Sequence, residues 1–184
     1  ANSGFNFANW TGPVANASAA ATTVTMSAPV SVTANFDAQV GVTVTTNPPG
    51  LTIIVDGNTL TAPQVFNWTP GSNHTIATTT PQGSGGTRRV FSTWSDSGAI
   101  AHVIVTPATA TTFTANFNTE FQLTIAASPA NGGNVTPASG TFFPSGSVQN
   151  VTATATSGFT FAGWTGPVAN SSASATTVTM SGPV

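Results

Sequence analysis

The sequence predicts an all-β fold made of small antiparallel β modules of sandwich type, set in tandem as an elongated array. Three observations predict it. Short segments such as VTVTT, HVIVT and VTATAT alternate with period two and are rich in β-branched residues, the pattern of strands with one buried face. Eighteen glycines and thirteen prolines punctuate these segments, as turns between strands require. Residues 1–30 also return as residues 155–184 with 24 identities in 30 positions, at an offset of 154. Self-similarity at a fixed distance is the mark of a repeat architecture. The six differences fall at Asn2, Asn6, Asn9, Ala17, Ala20 and Ala28; they exchange only small or polar residues and spare every aromatic.

Taken in chain order, the Phe-x-x-Trp element comes first, as Phe7/Trp10, and it returns as Phe91/Trp94 and Phe161/Trp164. VANASAAATT at 14–23 has helix-favouring alanines but no large apolar residues at helical spacing, so it is a loop or at most one turn. TVTM at 23–26 and again at 177–180 is a strand, as is SVTANF at 31–36. GVTVTTNPP at 41–49 alternates and stops at proline, and FQLTIAASP at 121–129 matches it. LTIIVDGNTL at 51–60 is a hairpin: Asp56-Gly57 is a pair suited to a type I′ turn, where both central residues need positive φ. NWTPGSNHTI at 67–76 aligns with FFPSGSVQNV at 142–151, placing Gly71 over Gly146 and Trp68 over Phe143.

TFTANF at 112–117 echoes SVTANF. Taking both as module-closing strands divides the chain into 1–36, the C-terminal half of a short repeat; 37–117, a longer variant repeat; and 118–184, a short repeat lacking its closing strand. A long unit of 81 residues followed by a short one of 73 then makes up the 154-residue period. The parent protein is expected to be longer than this chain, with residues after Val184 close to SVTANF.

The combined pattern, SGFNFANWTG or SGFTFAGWTG followed by a small-residue loop, TTVTM and SVTANF, resembles the bacterial tandem repeat domains related to the internalin B-repeat. The middle unit, with FSTWSDSG and TFTANF, looks like a longer cousin. The resemblance implies small β-rich modules, β-grasp-like in the internalin case, strung along secreted or surface-anchored bacterial proteins as spacers, stalks or adhesive segments. It implies no catalytic residues.

The residues themselves offer little chemistry. Asp56 belongs to the hairpin turn, and Asp37 and Glu120 each follow a TANF strand as the start of a linker. Asp96 and His102 flank one turn and can pair, with Ser95 or Ser97 as a would-be nucleophile; an aspartate satisfying turn amides is the ordinary reading. His74 and His102 lack metal-ligand spacing, and calcium loops need clustered acids. No catalytic, cofactor-binding or metal-binding residue is assigned. Phe7, Trp10, Phe91, Trp94, Phe161 and Trp164 occupy the same place in each unit and are assigned as core anchors, each buried aromatic contributing about 2–3 kcal/mol. The competing reading makes the tryptophans a sugar-stacking platform. Asn9, Asn16, Asn67, Asn73, Asn134, Asn150 and Asn170 head Asn-x-Ser/Thr sequons and are candidate glycosylation positions.

Charged residues make up 3% of the chain, against roughly 25% in ordinary domains. Arg88 and Arg89 are the only basic residues besides histidine, which excludes nucleic acid and anionic membranes as partners. No apolar run suits membrane insertion, and the absence of cysteine removes disulfides and thiol chemistry. β proteins commonly guard sheet edges with lysine or other charges; with no lysine and a net charge of −2, copies of this chain do not repel one another. The expected partners are neighbouring copies of itself, with glycans as a second class. The leading expectation is a non-enzymatic structural protein outside the cell, the repeat segment of a fibre, sheath or surface stalk. The alternatives are an adhesin or carbohydrate-binding array, or an accessory region of a larger secreted enzyme.

Overall fold

The computed structural model describes every residue except Ser3. The described residues form fourteen strands in four small antiparallel sheets, with no helix and no closed barrel. In chain order these are β1 (Phe5–Thr11), β2 (Thr33–Ala38), β3 (Val40–Asn47), β4 (Thr52–Val55), β5 (Asn58–Thr61), β6 (Gln64–Trp68) and β7 (Asn73–Thr78). There follow β8 (Thr87–Trp94), β9 (Ala101–Val105), β10 (Thr111–Leu123), β11 (Gly133–Thr136), β12 (Thr141–Pro144), β13 (Val148–Ala155) and β14 (Ala175–Thr179). The chain falls into two compact units: Ala1–Thr78 with Trp94–Ala115, and Thr79–Thr93 with Asn116–Val184.

In the first unit β1 and β2 form a two-stranded ribbon, β3 lies between β6 and β10 in a five-stranded sheet that also takes in β8 and β12, and β5-β4-β7-β9 form a four-stranded sheet. Alternation decides what each strand buries. Val42, Val44 and Thr46 of β3 turn inward, as do Ile53 and Val55 of β4, while their neighbours stay partly exposed. Asp56 (φ 48°) and Gly57 (φ 79°) make the β4–β5 turn, with Val55 opposite Asn58. Both central residues have the positive φ that a type I′ turn demands. Trp94, 1% exposed, is the largest fully buried side chain, and its indole N–H donates to the Ile100 carbonyl at 3.2 Å.

In the second unit the end of β10 pairs with β12, and β11-β13-β14 form a three-stranded sheet. Leu123, Val151, Val178 and Met180 make its buried cluster, with Phe121, Ile125, Phe143 and Trp164 packed against it.

The two units use one turn design at the aligned positions. The Gly71 amide donates to Thr106 and the Gly146 amide to Met180, at 2.9 and 2.8 Å. The Ser72 and Ser147 hydroxyls each donate to the carbonyl three residues earlier, Thr69 and Pro144. Gly71 and Gly146 hold φ of 84° and 79°, so the alignment drawn from sequence is a structural one.

Three readings of single segments change. Glu120 does not begin a linker: it lies within β10 and bonds Arg88 at 2.6 Å. Asp37 likewise lies inside β2. TTVTM forms β14 in the last copy but only an isolated bridge, Val14 to Val24, in the first. In the last copy β13 pairs with it, Val151 opposite Thr176 and Asn150 opposite Thr177.

Candidate functional site

The two copies of the Phe-x-x-Trp element fold their loops almost bond for bond. The Trp10 amide donates to Ala17 and the Trp164 amide to Ser171, both at 2.8 Å. The indole N–H groups donate to Ala19 at 3.0 Å and Ala173 at 2.9 Å. Each loop closes with an Asn side chain accepting from a serine amide, Asn16 from Ser18 and Asn170 from Ser172, both at 3.0 Å. Local sequence alone therefore builds this loop.

What differs is the strand beside it. In the first copy β2 lies antiparallel to β1, Phe36 opposite Phe7 and Thr33 opposite Thr11, with a bulge between Phe7 and Asn9. Asn35 Nδ2 donates across the ladder to Asn9 Oδ1 at 2.6 Å and Thr11 Oγ1 at 2.7 Å. The longer middle repeat is closed in the same way, with β8 against β10. Phe7 meets Phe36 at 6.0 Å and 79°; Phe91 meets Phe117 at 5.9 Å and 80°. Residues 159–165 form no strand, and Phe161 has only Trp164 as a ring neighbour among the described residues.

Two clefts, of about 240 and 400 Å³, flank this segment, and both are lined by Gly163 and Trp164. Gly12 and Gly166 hold nearly the same φ, 121° and 125°. A Cβ on Gly12 would lie 2.5 Å from the Ser31 carbonyl oxygen, whereas one on Gly166 would meet nothing within 4 Å.

The family profile described as divergent InlB B-repeat domain matches residues 1–40 and 123–184, more than half of the chain. The chain belongs to this family. No curated protein and no solved structure matches it. Divergent B-repeats are typical of repeat regions in bacterial surface proteins and are generally non-catalytic. No helix among the described residues is long and apolar enough to cross a membrane.

Met180 is fully buried against its cluster, whereas Met26, its counterpart, is 68% exposed. Of the anchor residues, Trp94 is buried, while Phe7, Trp10, Phe91, Phe161 and Trp164 are half-buried, Trp10 and Trp164 with their indole donors engaged by their own loops. The sequon residues Asn9, Asn16, Asn67, Asn73, Asn134, Asn150 and Asn170 are all exposed.

Two aspartate–histidine pairs form outside the B-repeat copies. Asp96 Oδ2 lies 2.9 Å from His102 Nε2, and His102 Nδ1 lies 2.7 Å from the Ala99 carbonyl. Neither Ser95 nor Ser97 reaches the imidazole: the Ser95 hydroxyl instead accepts from the Thr114 amide at 3.0 Å. The second pair escaped sequence reasoning, because Asp56 and His74 lie 18 residues apart and meet only through the packing of β4 on β7. Asp56 Oδ2 is 2.7 Å from His74 Nδ1, and His74 Nε2 is 3.0 Å from the Ser72 hydroxyl. Trp68 stacks on the same imidazole at 3.8 Å.

Asp56, His74 and Ser72 are thus linked in the order of a hydrolytic triad, with the serine proton engaged elsewhere. The Ser72 hydroxyl donates to Thr69, and the nearest amides, of Gly71 and Ser72, are bonded to Thr106 and Thr69. Those two amides are therefore not free to hold an oxyanion. At the matching turn of the other unit Gln149 Nε2 donates to Ser147 Oγ at 2.9 Å. Glutamine cannot act as a base, so the position serves to hold the serine. Burial raises both aspartates, but bonds from the paired histidines and backbone amides, with the histidine charge, outweigh it and hold Asp56 and Asp96 below the ordinary carboxylate value.

Proposed function

We propose that this chain is a non-enzymatic building segment of an extracellular bacterial fibre, sheath or surface stalk. Its tandem β modules, 1–36, 37–117 and 118–184, associate with neighbouring copies through their sheets. One observation carries the reading: repeats of a family typical of bacterial surface proteins recur within a chain that has almost no charge to keep copies apart. An open β edge without guarding charge is a template for another strand. The exposed sequon asparagines support glycans as a second contact class, in a host that attaches them. Immunogold labelling of the producing cells tests the proposal. Label along filaments or a sheath is expected, and label confined to the cytoplasm overturns it.

A further inference from the structure

We propose that the outer edge of β9 is a self-pairing surface, taken by β9 of a second copy of this chain in antiparallel register about Val103. The inference rests on the assembly reading above and names one contact that would serve it.

β9 is an outer strand of the β5-β4-β7-β9 sheet. Its register with β7 runs without a break, Asn73 opposite Val105, Thr75 opposite Val103 and Ala77 opposite Ala101. The bonds at either end show which backbone groups this ladder uses. The Thr106 amide donates to the Ser72 carbonyl at 2.8 Å, and the Ile100 carbonyl accepts from the Thr78 amide at 3.3 Å. Hydrogen-bonded pairs recur at every second residue of an antiparallel ladder. Ile100, His102, Ile104 and Thr106 therefore turn their backbone groups to β7, and Ala101, Val103 and Val105 turn theirs outward.

That outer edge lacks the guards that natural sheets place there, such as proline, a bulge or an unmatched charge. β9 holds no proline, lysine or acid, and no bulge interrupts it. Its one ionisable side chain, His102, is matched within the chain by Asp96 at 2.9 Å. The edge is also held in place. Thr106 is fixed by Ser72 and Gly71, and the His102 ring by Asp96 and the Ala99 carbonyl. A strand fixed at both ends loses little further freedom on pairing.

The residues specify the occupant. An antiparallel copy centred on Val103 sets Val103 opposite its own counterpart and Ala101 opposite the partner's Val105. These are hydrogen-bonded pairs, each exchanging both N–H···O=C bonds, and they use only the outward groups. Val103 and Val105 are 63% and 61% exposed and Ala101 is exposed, so every facing pair on that side is apolar. β-branched pairs across a ladder are stabilising. An edge without charge gives a charged strand nothing to pair with and does not repel its own copy. The contact is two-fold and closes, so its product is a dimer.

Sedimentation velocity and amide hydrogen exchange test this. The wild-type chain is expected to dimerise with rising concentration. Exchange at Ala101, Val103 and Val105 should slow as it does, while Ile104 stays slow throughout. Val103→Lys sets like charges directly opposite each other on the two-fold and should weaken dimerisation at least about fivefold, as should Val103→Glu. An equimolar mixture of the two should recover the dimer, because lysine then faces glutamate. If either variant loses its β circular-dichroism signal, Val103→Pro, which deletes an outward N–H, replaces both and should weaken dimerisation alike. Dimers that survive these substitutions place the contact elsewhere, and weakened variants whose mixture does not recover give the edge a different occupant. Either result overturns the β9 pairing and leaves the assembly reading standing. A wild-type chain that stays monomeric at every concentration also overturns the pairing, and labelling of the producing cells then decides the assembly reading separately.

Discussion

The two methionines of the repeated TTVTM word offer an internal control. Met180 is 0% exposed and packed among Leu123, Val151 and Val178, whereas Met26 is 68% exposed. Met180→Ala removes a buried thioether chain while leaving the backbone bonds of Met180 to Gly146 and Ser147 in place. Its cost is therefore the lost burial plus the cavity, about 2–5 kcal/mol. Met26→Ala removes a side chain that water already reaches, with an expected effect within about 0.5 kcal/mol. Amide hydrogen exchange at β13 and β14 reads the difference. The lower bound of about 2 kcal/mol corresponds to roughly 30-fold faster exchange for amides that exchange through opening of the second unit. Equal effects of the two substitutions would refute the reasoning, because one sequence word would then carry the same packing with and without a partner strand.

Three further outcomes follow. Asp56 and Asp96 have lowered folded-state values, so the native chain binds their protons less readily than the unfolded one; their contribution is present above the ordinary carboxylate range, about pH 4, and lost as pH falls through the lower folded values. Urea unfolding at pH 2–5 should show this acid loss, and Asp56→Asn with Asp96→Asn should flatten it. A Cβ on Gly98 would sit 2.3 Å from His102 Nε2, so Gly98→Ala should expel the imidazole from Asp96, cost about 1–2 kcal/mol and reduce the Asp96 share of the pH dependence, the backbone amide bonds to the carboxylate remaining. Arg88 and Arg89 lie half-buried in β8 and bond Glu120 and Thr119, so trypsin should leave the native chain intact and cut only after heating, as mass spectrometry would show.

Features decided within a few residues of chain were legible in the sequence. Alternation in VTVTT dictates which face of β3 is buried, and Asp56-Gly57 dictates a turn wherever it falls. The loop after each Phe-x-x-Trp also closes on its own residues, which is why both copies agree. Features needing a remote partner were not legible. TTVTM is a strand only beside β13, and Glu120 reads as linker until β8 brings Arg88 against it. The Asp56–His74 pair depends on which strands share a sheet, and no spacing rule connects an aspartate in one turn to a histidine beginning a later strand.

Nearly every ionic group has a partner within its own chain: Arg88 with Glu120, Arg89 with a threonine hydroxyl, and two aspartates with histidines. Such a surface projects almost no field, so dissolved salt has little to screen. Encounters between molecules then proceed without electrostatic steering and succeed only on geometric match, at the unhurried rates of neutral association. Association between such surfaces changes little from fresh water to brine.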